Sequence, residues 1–190
     1  MISDEYKALF THIDKTGGSS ITCMLNNGGK EETNHKHKPM VNMINSSNKD
    51  YFKFAFVRNP YERILSKYYH DVKIARPEKP GSTRNTTNFR EWVNRHKNGL
   101  RKFLRPQYDY LHDKSGNLLP DFVGKFENFE KDLYYVKEKL GLKSEILHKN
   151  QNPIKKLACG HTMSDYDRES LDVVNKLYSK DFKAFNYEMQ

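Results

Sequence analysis

Seven consecutive residues, Asp14-Lys15-Thr16-Gly17-Gly18-Ser19-Ser20, combine a cation, three hydroxyls and two glycines. Glycines let a backbone curl until successive N–H groups point inward, and a helix beginning at Ser19 adds the positive end of its dipole, so the segment has the parts of an anion cradle. Thr16, Ser19 and Ser20 bring hydroxyl donors, and Lys15 brings a full positive charge to the mouth of the loop. A Walker loop needs GxxxxGK[ST], with its Lys after the last Gly. Here Lys15 precedes Gly17 and Gly18 and the spacing is too short, which disfavours an ordinary ATP or GTP site.

Arg58-Asn59-Pro60-Tyr61-Glu62-Arg63, followed by Ser66, sets a cation at the end of an apolar run and a hydroxyl on the first turns of the next helix. Both can face a single phosphate, giving a second anion site beside the first. A kinase-like protein wants an Asp at such a strand end to hold magnesium, and Arg58 stands there instead.

The elements that must position these residues follow from apolar periodicity and breakers. Lys7–Ile13 (KALFTHI) predicts a strand running into the glycine loop, and the helix after it spans about Ser19 to Leu25, stopping at Asn26-Asn27-Gly28-Gly29. Residues 30–50 have no sustained period and predict a surface excursion with at most a short strand. Tyr51–Val57 (YFKFAFV) is the most strand-like run, ended by Asn59-Pro60. Tyr61–Val72 then sets Ile64, Leu65, Tyr68, Tyr69 and Val72 on one helical face, with Glu62, Arg63, Ser66 and Lys67 mostly elsewhere.

A basic loop over residues 73–87 precedes a short helix over Phe89–His96 carrying Trp92 and Val93. Asp121–Phe126 predicts a strand, and a helix from about Asn128 to Leu140 is closed by Gly141. The last helix begins near Ser164, with Ser164 and Asp167 as a capping box and Leu171, Val174, Leu177 and Tyr178 at helical intervals. Phe182, Phe185 and Tyr187 then tuck the tail onto the body. Strand followed by helix, recurring without an internal repeat, predicts an α/β protein with a mainly parallel sheet whose ligands bind at the carboxyl ends of the strands.

The 190 residues suit a single domain spanning 1–190. Charged residues reach 30%, yet 12 Tyr, 11 Phe and 1 Trp supply the apolar surface that disordered chains lack. Lys plus Arg total 33 against 24 Asp plus Glu, a net charge of +9 that draws in an anion: nucleic acid, a nucleotide, a sulfated or carboxylated polymer, or a membrane surface. Two cysteines, Cys23 and Cys159, are too few for a disulfide framework or a zinc module. Met1–Leu9 has no apolar run and no later stretch approaches a membrane span, which predicts a soluble, cytoplasmic protein.

Phe10 to Ser20 resembles the 5′-phosphosulfate loop, and Phe56 to Tyr68 the 3′-phosphate motif, of sulfotransferases that use 3′-phosphoadenosine 5′-phosphosulfate. Within that family the likeness is to the branch containing the membrane-bound carbohydrate sulfotransferases. Weaker echoes follow in the family's order: Gln107 to Leu111, Phe122 to Asn128, His148-Lys149-Asn150 and Leu177 to Phe182. Asp14 stands where that branch usually has Pro, and the loop is a Gly-Gly-Ser-Ser variant.

The resemblance implies a P-loop-NTPase-like three-layer fold, a central mainly parallel sheet flanked by helices. It also implies sulfuryl transfer from that donor to an acceptor hydroxyl or amine, leaving adenosine 3′,5′-bisphosphate and requiring no metal. Lys15 suits the bridging oxygen, where charge builds on the leaving phosphate. The loop residues Lys15, Thr16, Gly17, Gly18, Ser19 and Ser20 hold the 5′-phosphate, while Arg58 and Ser66 hold the 3′-phosphate that distinguishes this donor from ATP. His37 or His35, after the first helix, offers the neutral base, His37 matching the family's Lys-His pattern better; Glu32 is a further candidate.

By resemblance Gln107 faces the acceptor, and the branch favours a glycan over another small-molecule hydroxyl. His12, at the end of the first strand, packs or hydrogen-bonds under the loop. Competing readings are a small-molecule kinase, a degenerate nucleotide-binding protein without catalysis, and an RNA-binding module. The last rests on Lys53-Phe54-Ala55-Phe56-Val57, a partial RNP1 pattern lacking the Gly after Lys53 and running into Pro60, so a nucleic-acid partner is not expected.

Overall fold

The two most strand-like runs of the chain lie side by side and parallel. They belong to a computed structural model that describes residues 1–26, 37–74, 88–97, 104–142 and 165–190. Four strands, β1 (Ile2–Ser3), β2 (Ala8–Thr11), β3 (Phe52–Val57) and β4 (Phe122–Lys125), form one sheet in chain order. β1 is antiparallel to β2, while β2, β3 and β4 run parallel, with Phe10 opposite Phe54 and Val57 opposite Lys125. Parallel neighbours end on the same side of a sheet, so the chain following β2, with Lys15, and the chain following β3, with Arg58, leave from the same edge.

Side chains alternate across a strand, which puts Ala8, Phe10, Phe54 and Phe56 on one face. That face is buried in one apolar cluster with Ile21, Met24 and Leu25 of α1 (Gly18–Leu25) and Leu133 and Val136 of α5 (Phe129–Leu140). Leu9, Thr11, Ala55 and Val57, on the opposite face, are buried as well, as expected of a parallel sheet covered on both sides. The result is a mixed α/β fold with a mostly parallel sheet flanked by helices. Phe54 and Phe56, the aromatics of the RNP1-like run, are wholly inside and offer no platform on which a base could stack.

The chain divides into two compact units, Met1–Arg58 with Gln107–Gln151, and Asn59–Pro106 with Asn152–Gln190. The first contains the sheet, α1, the short α4 (Tyr108–Leu111) and α5. The second contains α2 (Pro60–Ile74), α3 (Phe89–His96) and α6 (Arg168–Ala184) around a core that includes Tyr61, Trp92, Val174 and Phe182. Asn59 and Pro60 end the preceding strand and start α2 together: the Asn59 side chain accepts from the Tyr61 amide at 2.9 Å, and Pro supplies a first helical residue that needs no hydrogen-bond acceptor. Asn88 caps α3 by accepting from the Glu91 amide.

Two local expectations are corrected. Arg63, expected off the apolar face of α2, is 1% exposed. Its long stem is at home among apolar groups, and its guanidinium donates to the Arg105 carbonyl at 3.0 Å. The last helix starts at Arg168, not near Ser164, with Asp167 as its N-cap accepting from the Ser170 amide at 2.8 Å. Ser164, the breaker at Asn27-Gly28-Gly29, the basic loop beyond Ile74 and Cys159 lie outside the described residues.

Asp167 also pairs with Arg90 at 2.9 Å, and hydrogen bonds from Ser170, with the Arg90 charge adding, hold its carboxyl below the usual range. A depressed carboxyl contributes stability above its unfolded value and loses it as pH falls through its folded one. Asp167→Ala should therefore destabilise the protein by about 1 kcal/mol at neutral pH. The gap in melting temperature from wild type should close in strongly acid solution. A gap of the same size at both pH values would contradict the cap.

Candidate anion-binding and transfer site

The loop between β2 and α1 turns on two left-handed residues. Lys15 has φ 69° and Gly17 has φ 84°. The second costs a glycine nothing, but the first costs a lysine about 1 kcal/mol or more and must be held by its surroundings. Thr16 is fully buried and its hydroxyl donates to the Ile13 carbonyl at 2.9 Å, tying the loop back to the end of the strand. That hydroxyl closes the turn, so Thr16 would serve an anion through its backbone. Gly17 is the N-cap of α1 with no side-chain hydrogen bond, and no acidic residue stands in the helix's first turn. Positive partial charge therefore gathers where the loop meets the helix, beside exposed Ser19 and half-buried Ser20.

Both glycines are also pressed against rings. A Cβ on Gly18 would lie 2.0 Å from the His12 imidazole, and one on Gly17 would lie 2.6 Å from the Phe129 ring and 3.2 Å from that of Phe126. His12 is buried and stacks on Phe10 at 5.8 Å, so it forms a firm floor beneath the loop.

His37 comes to the same floor. Its Nδ1 is 3.0 Å from the His12 carbonyl, and the two imidazoles meet edge to face at 4.8 Å. A carbonyl can only accept, so Nδ1 carries the hydrogen and the neutral ring keeps its lone pair on Nε2. Like Lys15, His37 has a left-handed backbone, φ 56°. His35 and Glu32, the other candidate bases, lie outside the described residues.

Arg58 is the first residue beyond β3. Its guanidinium carbon sits 4.5 Å from the centre of the Phe126 ring, a stacking geometry that steadies the cation. Phe126 thus contacts both arms of the candidate site: the Gly17 turn and the Arg58 side chain. Gln107 is fully buried, and its side-chain amide accepts from the Arg58 N–H and donates to the Arg58 carbonyl, each at 2.8 Å. Ser66 lies half-buried on α2, in the second unit.

Sequence reasoning singled out Lys15, the glycines, Arg58 and His37 but missed Phe126. The signal was present: an aromatic directly after a strand, where loops from parallel neighbours converge. Among the described residues, no three His, Cys, Asp or Glu side chains gather as a metal site, and no helix is long and apolar enough to cross a membrane.

A mostly parallel sheet with a glycine-rich strand-to-helix turn and a cation just beyond the next strand defines a mixed α/β protein with a candidate anion-binding edge. The profile described as "Sulfotransferase family" matches residues 1–188, nearly the whole chain, and the chain belongs to that family. Membership makes it a transferase, with sulfotransfer as its class of activity. A protein of Archaeoglobus fulgidus described as uncharacterized is 32% identical over 98 residues, covering 50% of this chain and 72% of that protein. No solved structure matches the chain significantly.

Seating of the loop on His12 leaves no room for a methyl group at position 18. Gly18→Ala should cost about 1–3 kcal/mol, as overpacking does, and lower the melting temperature accordingly. A variant that melts like wild type would show that the loop does not rest on the imidazole.

Proposed function

We propose that the protein transfers a sulfuryl group from 3′-phosphoadenosine 5′-phosphosulfate to an acceptor hydroxyl or amine, the acceptor being a carbohydrate. The observation that carries this reading is the Phe126 ring shared between the Gly17 turn and Arg58. A donor phosphorylated at both 5′ and 3′ positions needs two cationic sites held in fixed relation. One ring packed against both supports that relation better than either motif alone.

The donor supplies sulfate activated as a mixed anhydride with the 5′-phosphate, and the remaining requirements fall on the chain. The transfer breaks the bond between sulfur and the 5′-phosphate oxygen and forms one from sulfur to the acceptor oxygen or nitrogen. In such a loose in-line displacement, positioning and charge neutralisation do most of the work. Backbone N–H groups over Thr16 to Ser20 hold the 5′-phosphate, and Lys15 neutralises the charge that builds on its bridging oxygen. Arg58 holds the 3′-phosphate, and the motif resemblance gives the Ser66 hydroxyl the same role. Nε2 of His37 takes the acceptor's proton, its orientation set by the bond from Nδ1 to the His12 carbonyl.

The family match runs through both compact units, in keeping with 1–190 working as a single domain. A glycan acceptor follows from the branch resemblance and suits the net charge of +9. A buried free thiol at Cys23 is compatible with action in the cytoplasm.

The test is transfer of labelled sulfate from the donor to a panel of glycan and small hydroxyl acceptors, with and without a chelator. Lys15→Ala and Arg58→Ala should each abolish turnover, Arg58→Ala mainly through lost donor binding, and the chelator should change nothing. Normal turnover in either variant would overturn the site. His37→Ala should lower kcat by about 100-fold or more with donor affinity kept, the usual worth of a general base. An unchanged kcat would remove His37 from the base role.

A further inference from the structure

We propose that Gln107 is a positioning residue for Arg58, its side-chain amide standing in for a neighbouring strand so that the cation leaves the sheet in one direction. The inference rests on the reading of Arg58 as the 3′-phosphate ligand.

The paired registers of β3 stop short of Arg58: Ala55 is the last residue opposite β2, and Val57 the last opposite β4. Beyond them the Arg58 backbone meets the Gln107 side chain, whose Oε1 accepts the N–H and whose Nε2 donates to the C=O, each at 2.8 Å. A primary amide is the side-chain group that can do both at once, because it carries an acceptor and a donor side by side, as a peptide does. Two hydrogen bonds to one residue limit its φ and ψ together, and this fixes the direction of its Cα–Cβ bond.

The far end of the side chain is constrained separately, by the Phe126 ring under the guanidinium. Gln107 is itself anchored: it has no exposed surface, and its carbonyl accepts from the Tyr110 amide at 3.1 Å as α4 begins. Burial of this kind fits a residue that acts through Arg58 better than one that meets the acceptor.

The chemistry distinguishes Gln from its closest replacements. The substitution Gln107→Glu keeps an acceptor for the Arg58 N–H but sets a carboxylate oxygen against the Arg58 carbonyl. Gln107→Met keeps the volume and loses both bonds. Either change frees the Arg58 backbone while leaving the glycine loop untouched.

The experiment measures dissociation constants of adenosine 3′,5′-bisphosphate and adenosine 5′-monophosphate by calorimetry for the full chain, Gln107→Glu and Gln107→Met, together with melting temperatures. Bisphosphate binding should weaken by about tenfold or more in Gln107→Glu, the effect of a misaimed charged hydrogen bond, while monophosphate binding stays within about twofold. Gln107→Met carries the same expectation should Gln107→Glu not fold. Equal weakening of both nucleotides would mean a general structural role and overturn the proposal. So would unchanged bisphosphate affinity with a raised KM for the acceptor, which would make Gln107 an acceptor ligand. A wild type that does not prefer the bisphosphate would overturn the donor reading and, with it, this inference. Wild-type preference retained in both variants would overturn the inference alone.

Discussion

The close approach of the glycine loop to aromatic and imidazole rings is the constraint on which the site depends. Gly18 rests on His12 and Gly17 on Phe129 and Phe126, at distances that no side chain could share. This contact places the positive end of α1 and the Lys15 backbone above a buried floor. It also turns the floor into a junction, because His12 receives His37 through its carbonyl and Phe126 receives the Arg58 guanidinium. Close packing of this kind transmits position: a loop that cannot sink or slide fixes its neighbours as well.

The surrounding fold supplies rigidity at that point. Parallel pairing of β2, β3 and β4 brings the ends of adjacent strands to one edge, and a cluster built on Phe10, Phe54 and Phe56 binds α1 and α5 to one face of the sheet. The second unit spends its aromatics differently. There the Tyr166 hydroxyl donates to the Tyr61 carbonyl and the Tyr178 hydroxyl to the Leu104 carbonyl, so the polar tips of buried rings find backbone partners. The abundance of Tyr and Phe thus compensates for a low overall apolar content.

Much of this was legible from local pattern. The strands ending before Lys15 and Arg58, the helix over Phe89–His96 and the helix closed by Gly141 follow from apolar runs and breakers, signals that reside within a few neighbouring residues. The two anion motifs are legible for the same reason, since a loop of glycines and hydroxyls is chemically unusual wherever it occurs. Contacts across the fold were not. Arg63 reads as a polar helix residue, and only its neighbours in space decide that it is buried. Gln107 lies far along the chain from Arg58, so nothing local predicts that its amide serves that backbone. Phe126 looks like any core aromatic until the glycine and the guanidinium are set against it. The start of α6 was misplaced because Ser164 and Asp167 both suit a cap, and periodicity does not choose between them.

The central claim is that two phosphate sites, on the Gly17 turn and on Arg58, act on one ligand. Its most direct test is calorimetric titration of the protein with adenosine 3′,5′-bisphosphate in parallel with ATP. Saturable binding of the bisphosphate, with little or none of ATP, is the expected result. Preference for ATP, or no binding of the bisphosphate, would contradict it.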